Sequence, residues 1–152
     1  HIGSEVQGRL RPGLSALENV LLPQRLGCWR LQPSKRLEAL RLLERVGLLN
    51  PRQPVETLSR GQMQRVAVAR ALITRPEILI ADEPTGNVDP DMAERLLHLF
   101  DSLNRLGTTV VVATHDFQLI SRIPDARMMR IEKGRLNDPT GSLRYPPGMA
   151  PA

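Results

Sequence analysis

The chain has 152 residues, 41% of them hydrophobic but only 3% aromatic, and a formal charge of +5 from 21 basic and 16 acidic side chains. That length bounds it to about one domain, with a core resting on Leu, Val, Ile and Ala rather than on rings. No apolar run approaches the roughly 20 residues that cross a bilayer, the sequence shows no signal-peptide pattern, and the lone Cys28 excludes an internal disulfide and fits a reducing compartment.

The basic residues are nearly all arginine, with Lys35 and Lys133 the only lysines, and they are scattered along the chain. Dispersed charge reads as a solvated surface, although a basic balance also suits nucleic acid or an anionic membrane surface. The first residue is His1 rather than methionine, which reads as a fragment, a processed form or an incomplete gene.

Residues 1–14 lack periodicity and hold Gly3, Gly8, Pro12 and Gly13, which predicts loop. Ser15-Ala16-Leu17-Glu18 is a capping-box pattern that predicts a short helix ending near Pro23. Leu37, Leu40, Leu43 and Val46 recur at helical spacing, and Gly47 stands where that helix should end. Ser59 and Gln62 repeat the capping-box spacing and open a helix expected to turn Val66, Ala69 and Ile73 inward. Three helical segments in the first half suggest a small helical subdomain.

The second half changes character. Ile78-Leu79-Ile80-Ala81 is a compact apolar run that predicts a buried parallel strand. Asp89-Pro90 supplies a helix N-cap with proline at the first helical position; Leu96, Leu99, Phe100 and Leu103 mark the inner face, and Gly107 stops the helix. Thr108 to Thr114 predicts a second buried strand, followed by a short helix from about Asp116. Arg127 to Glu132 with the Lys133-Gly134 turn predicts an antiparallel hairpin, and the prolines after Asn137 predict a mobile tail over 137–152. Strand–helix–strand order with apolar strands indicates an α/β core.

Chemistry gathers at the strand ends. The first apolar strand delivers two adjacent carboxylates, Asp82 and Glu83, to its C-terminal end, where open α/β sheets bind ligands. Asp82 is suited to holding Mg²⁺ through water, and Glu83, pointing the other way, to polarising an attacking water. The second strand ends in Ala113-Thr114-His115-Asp116. Parallel strands end on one edge, so His115 should reach the neighbourhood of Glu83.

Four ordered segments together resemble the nucleotide-binding subunit of ABC transporters. Leu58-Ser59-Arg60-Gly61-Gln62 is similar to the family signature, Ile78 to Glu83 to the Walker B strand, Gly86-Asn87-Val88-Asp89 to the D-loop, and Ala113 to Asp116 to the switch-histidine loop. Gln7 resembles the Q-loop glutamine, which senses Mg²⁺ and contacts the membrane partner. The resemblance covers roughly residues 1–136. It implies a Q-loop region over 1–14, a helical subdomain with the signature over 15–75, and a Walker B to switch-histidine core over 76–136. Within the family, the motifs resemble the branch of lipoprotein-release, macrolide-export and cell-division subunits, and 112–122 is most similar to FtsE-like cell-division subunits. The resemblance implies ATP and Mg²⁺ as cofactors, a homodimer in the full-length parent, an FtsX-like integral membrane partner, and a peripheral position on the cytoplasmic face of the inner membrane. It also implies that Ser59, Gly61 and Gln62 of one subunit meet the γ-phosphate held by the other, with Asp89 communicating across that interface.

The phosphate-cradling run G-x-x-x-x-G-K-[ST] is missing, since no glycine–lysine pair occurs in the chain. The expected fold is therefore a partial P-loop NTPase of ABC type: a helical subdomain plus the C-terminal half of the parallel-sheet core, without the first strands or the P-loop. Such a chain is expected to be inactive alone. Three other readings stand beside the cell-division one: the ATPase subunit of a lipoprotein-release or macrolide-type ABC exporter; a nucleic-acid-associated ABC ATPase, disfavoured because no sustained heptads occur; and a non-functional truncated product. The family's usual signature is LSGGQ, so Arg60 occupies the first glycine's position. It could turn into solvent, add a cation near the phosphate, or crowd it.

Overall fold

The computed structural model describes residues 9–25, 32–116, 123 and 126–137, together with the backbone of 4–6. The chain forms two compact units, His1–Asp116 and Phe117–Ala152.

In the first unit, helix α1 (Ala16–Arg25) opens on the predicted box. The Glu18 N–H donates to the Ser15 hydroxyl at 3.3 Å, and the Ser15 N–H donates to the Glu18 carboxylate at 2.9 Å. The helix runs two residues beyond Pro23 instead of ending there. A proline in a last turn forfeits one bond, to the Asn19 carbonyl, with little helix left to disrupt. Helix α2 (Pro33–Arg45) ends in a Schellman motif on Gly47, whose φ is +70°. There the Gly47 N–H donates to the Glu44 carbonyl at 2.8 Å and the Leu48 N–H to the Leu43 carbonyl at 2.9 Å. Its buried stripe is Ala39, Leu43 and Val46; Leu37, expected inside, is 51% exposed because it lies off that stripe.

Helix α3 (Arg60–Leu72) packs against α1, α2 and the backbone of β1 (Ser4–Val6). Val66, Ala69 and Ile73 are buried as expected, and Gly61, Ala67, Val68, Ala71 and Leu72 join them. Helix α4 (Pro90–Arg105) begins on Asp89, whose carboxylate accepts from the Met92 N–H at 3.0 Å, and ends in a second Schellman motif at Gly107. Its buried face centres on Met92, Ala93, Leu96, Leu97 and Phe100, while Leu99 and Leu103 flank it half-buried.

Strands β1, β2 (Ile78–Asp82) and β3 (Thr109–Ala113) form a parallel sheet in the order β1-β2-β3. Residues 4–6 were expected in loop, yet Ser4 to Val6 pair in parallel with Leu79 to Ala81. Parallel pairing is non-local, and a three-residue segment with one apolar side chain carries no period of its own. β2, expected to be buried, is covered on one face only: Leu79 and Ala81 are fully covered, whereas Ile80 is 46% exposed; in β3, also expected to be buried, no residue is fully buried and Val111, the register partner of Ile80, is 42% exposed. α4 packs against β3.

In the second unit, β4 (Arg130–Glu132) and β5 (Arg135–Asn137) form the predicted antiparallel hairpin around Lys133-Gly134, starting three residues later than expected. Gln7, the helix expected to continue from Asp116, and the tail beyond Asn137 lie outside the described residues.

Candidate functional site

β2 and β3 run in register, Asp82 beside Ala113, so both chains leave the sheet at one edge. The ladder extends one bond further, from the Glu83 N–H to the Ala113 carbonyl at 2.8 Å. There the backbone turns: Glu83 has φ +44°, a left-handed conformation that costs a non-glycine residue roughly 1–3 kcal/mol. The turn leaves the Glu83 carboxylate at the end of β3. Its Oε1 lies 2.6 Å from Nδ1 of His115 and accepts from the His115 N–H at 3.0 Å, and its Oε2 accepts from the Thr114 hydroxyl at 3.0 Å. The expected meeting of Glu83 and His115 is therefore direct.

The electrostatics follow from those contacts. Partial burial works to raise the Glu83 carboxyl, but hydrogen bonds from the His115 ring, the Thr114 hydroxyl and the His115 N–H, with the charge of the ring, hold it below the ordinary carboxylate range. His115 moves the opposite way: its bond to Glu83 and the charge of that carboxylate raise it, and Asp116 adds to the effect. The ring is 88% exposed, so the pair sits at the surface rather than in a sealed pocket.

The far side of Glu83 is held by a residue to which neither motif spacing nor resemblance drew notice. Gln64 on α3 donates its side-chain N–H to the Glu83 carbonyl, and its Oε1 accepts from the Asn87 amide at 3.3 Å. The available signal was a polar side chain on a helix face otherwise rich in buried Val and Ala. Arg60, Met63, Gln64 and Ala67 of α3 line one wall of a cleft of about 310 Å³, and Asp82, Glu83 and Asn87 line the other. Asp82 is exposed, and its carboxylate makes no hydrogen bond or ion pair with the other described residues. An oxygen donor of that kind fits Mg²⁺, which keeps most of its water and takes one or two carboxylates. No group of three His, Cys, Asp or Glu converges on a metal position among the described residues.

The signature run is a helix start. Ser59 caps α3, its hydroxyl accepting from the Gln62 N–H at 3.2 Å while its own N–H donates to Gln62 Oε1 at 2.9 Å. These two side chains thus satisfy each other. Gly61 is buried against the D-loop turn: a Cβ there would overlap the Asn87 carbonyl oxygen and sit 3.4 Å from Val88 Cγ1. Close backbone approach within the chain is enough to require glycine at this position. Arg60 is exposed, as one of its three readings has it, yet its side chain borders the cleft that holds Asp82 and Glu83. Asp89 is exposed as the cap of α4, following the turn that Gly61 packs against.

The parallel sheet, the helix-capping signature and the paired carboxylate and imidazole at the strand ends define the ATP-binding domain of an ABC-type cassette. The profile of the ABC transporter family matches residues 1–86, and the chain belongs to that family. It is 46% identical over 101 residues to the cell division ATP-binding protein FtsE of Escherichia coli K12, covering 65% of this chain and 45% of that protein. It is 41% identical over 143 residues to the lipoprotein-releasing system ATP-binding protein LolD 1 of Caulobacter vibrioides, covering 93% and 59%. Among solved structures, the dimeric ATP-binding cassette MJ0796 in a post-hydrolysis state bound to ADP and Pi matches with a TM-score of 0.71 and 39% identity, over 77% of this chain and 53% of that one. The chain spans about half the length of the curated relatives it matches.

Proposed function

We propose that the chain is the signature-to-switch-histidine portion of an ATP-hydrolysing subunit that works with a membrane partner. The observation that carries this reading is the 2.6 Å contact between Glu83 and His115 at the end of two adjacent parallel strands. Phosphoryl transfer asks a protein mainly to position groups and stabilise charge. Glu83 orients and polarises the attacking water. With its carboxyl held low it is a weak proton acceptor, which suits a loose transition state that develops little need for a strong base. His115, raised by its bond to the carboxylate and exposed, holds its proton more firmly than an ordinary histidine and can donate toward a phosphate. Asp82 would hold Mg²⁺ through water, with Gln7 as a second contact, and the charge such an ion supplies would offset that of the phosphates.

Ser59, Gly61 and Gln62 stand at the N-terminus of a 13-residue helix, where backbone N–H groups and the helix dipole favour an anion. In the proposed dimer that anion is the γ-phosphate held by a second subunit, with Asp89 near the same junction. Residues 1–136 belong to this ATP-binding domain. None of the described helices is long and apolar enough to cross a membrane. The place proposed for the subunit is peripheral, on the cytoplasmic face of the inner membrane beside an integral partner.

The particular system proposed is the FtsE type, acting in cell division with an FtsX-like protein; no nucleic-acid partner is proposed. A second reading, a lipoprotein-release subunit, is favoured by one observation: the LolD relatives match 93% and 88% of the chain, against 65% for FtsE. Joining this chain to the upstream half of Escherichia coli FtsE tests the activity. Mg²⁺-dependent ATP hydrolysis that falls at least 100-fold with Glu83→Gln is expected, and turnover that survives this substitution refutes the assignment. Co-purification of the same protein with FtsX or with lipoprotein-release membrane subunits decides between the two systems.

A further inference from the structure

Helix α3 connects two places that the proposed reaction must keep in register. Its first turn, from Ser59 to Gln62, is the end assigned above to the proposed dimer contact, and one turn further on Gln64 reaches the Glu83 backbone. Glu83 is the one residue of the strand end with positive φ, so the direction of its carboxylate depends on a backbone conformation that the residue does not prefer. Ties on three sides hold that conformation. The Glu83 N–H is tied to Ala113 on β3, the carboxylate to Thr114 and His115, and the carbonyl to the Gly86 N–H at 3.2 Å within its own turn and to the Gln64 side chain. Of these, only the bond to Gln64 comes from α3.

Gln64 is itself fixed at both ends of its amide. Its N–H group donates to Glu83, and its carbonyl accepts from Asn87, whose own backbone carbonyl lies against Gly61 at the start of the same helix. The loop after β2 is thus clamped to α3 at two points, Gly61–Asn87 and Gln64–Glu83. A side chain with one donor and one acceptor at this position can satisfy both partners at once, and no apolar residue can.

We propose that Gln64 is a positioning residue that ties the setting of Glu83 to the position of α3, so that engagement of the signature end by a second subunit's nucleotide is felt at the water-polarising carboxylate. This rests on the proposed role of Glu83. A shift of α3 along its axis carries Gln64 with it and either preserves or releases the bond to the Glu83 carbonyl. Gln64 acts in this arrangement through its bond to the Glu83 carbonyl.

The His115 ring reports the setting of Glu83 without any need for turnover. In the 152-residue chain labelled with ¹⁵N, the titration of His115 is followed by NMR, with His98 on α4 as an internal control and His115→Gln to assign the signal. Gln64→Met keeps the length of the side chain and removes both hydrogen bonds. It is expected to move the His115 midpoint down toward the ordinary histidine value, in the same direction as Glu83→Gln, and to leave His98 in place. Asn87→Ala, which frees one end of Gln64 from an exposed turn, is expected to give a smaller shift of the same sign, and it keeps the question open to measurement if Gln64→Met does not fold. An unshifted His115 midpoint in either folded variant overturns the proposal. Because the readout is proton binding, an inactive FtsE chimera would refute the proposed function and leave this result standing.

Discussion

Gly61 shows how one residue can answer to two constraints. Its place in the signature resemblance directs attention to a phosphate on another subunit, whereas its environment shows a constraint inside the chain, the Asn87 carbonyl where a Cβ would lie. Backbone is the obstacle, and backbone yields less than a flexible side chain, so Gly61→Ala should destabilise the fold by about 1–3 kcal/mol. Urea unfolding followed by circular dichroism measures this, and a midpoint unchanged from the parent would mean the turn at Asn87 gives way freely. Glu83 and His115 make the second case, through linkage. His115 is raised, so its contribution to stability is full below the ordinary histidine value and is lost as pH rises through the raised one. Glu83 is lowered, so its contribution is full above the ordinary glutamate value and is lost as pH falls through the lowered one. The pair therefore stabilises the chain across the window between the two shifted values. Glu83→Gln should shrink the loss on the alkaline side and move His115 down toward its ordinary titration, with Asp116 keeping a lesser part of the rise; denaturation midpoints measured on both sides of neutrality test this, and an alkaline loss undiminished in the variant would assign it to another group.

At the scale of elements, the signals that held were those confined to a few neighbouring residues. The boxes at Ser15/Glu18 and Ser59/Gln62, the Asp89-Pro90 start and the Gly47 and Gly107 stops each bring a donor and an acceptor together within a turn, and all five stand in the structure. Ser59→Ala should accordingly lower stability by about 1 kcal/mol through the lost cap alone. A thermal midpoint lower by several degrees is the expected result, and an unchanged one would show that Gln62 holds the helix start unaided. Features that depend on distant segments were not legible in the same way. Strand β1 exists because Leu79 to Ala81 lie beside it, which its own three residues do not encode. The exposure of Ile80 and Val111 depends on what covers the sheet, and an apolar run reads the same whether one face or two are buried. The candidate site divides along the same line. Asp82, Glu83 and His115 were legible because parallel strands bring their ends to one edge, whereas Gln64 was not, because its role comes from helix α3 crossing behind Glu83.

Taken together, the described residues bring the proposed catalytic pair, Glu83 and His115, to one sheet edge in a sequence that has no glycine–lysine phosphate cradle. The cleft beside Glu83 is lined by two carboxylates, Asp82 and Glu83, and one guanidinium, Arg60. In a sequence with no P-loop lysine, the four negative charges of ATP would meet these two carboxylates with one guanidinium among the described lining residues, the His115 ring beside Glu83 and one helix N-terminus in compensation. A helix terminus at the surface contributes about 0.3–1 kcal/mol toward an anion, far below the roughly 4 kcal/mol that even millimolar affinity requires. The 152-residue chain alone should therefore show no saturable binding of ATP up to about 1 mM, with or without Mg²⁺, in a titration with a fluorescent ATP analogue. The same chain joined to the upstream half of FtsE should bind it. Saturable binding by the chain alone, weakened by Arg60→Gly, would show that the signature end and its arginine form an anion site in their own right and would overturn the view that they complete a site begun elsewhere.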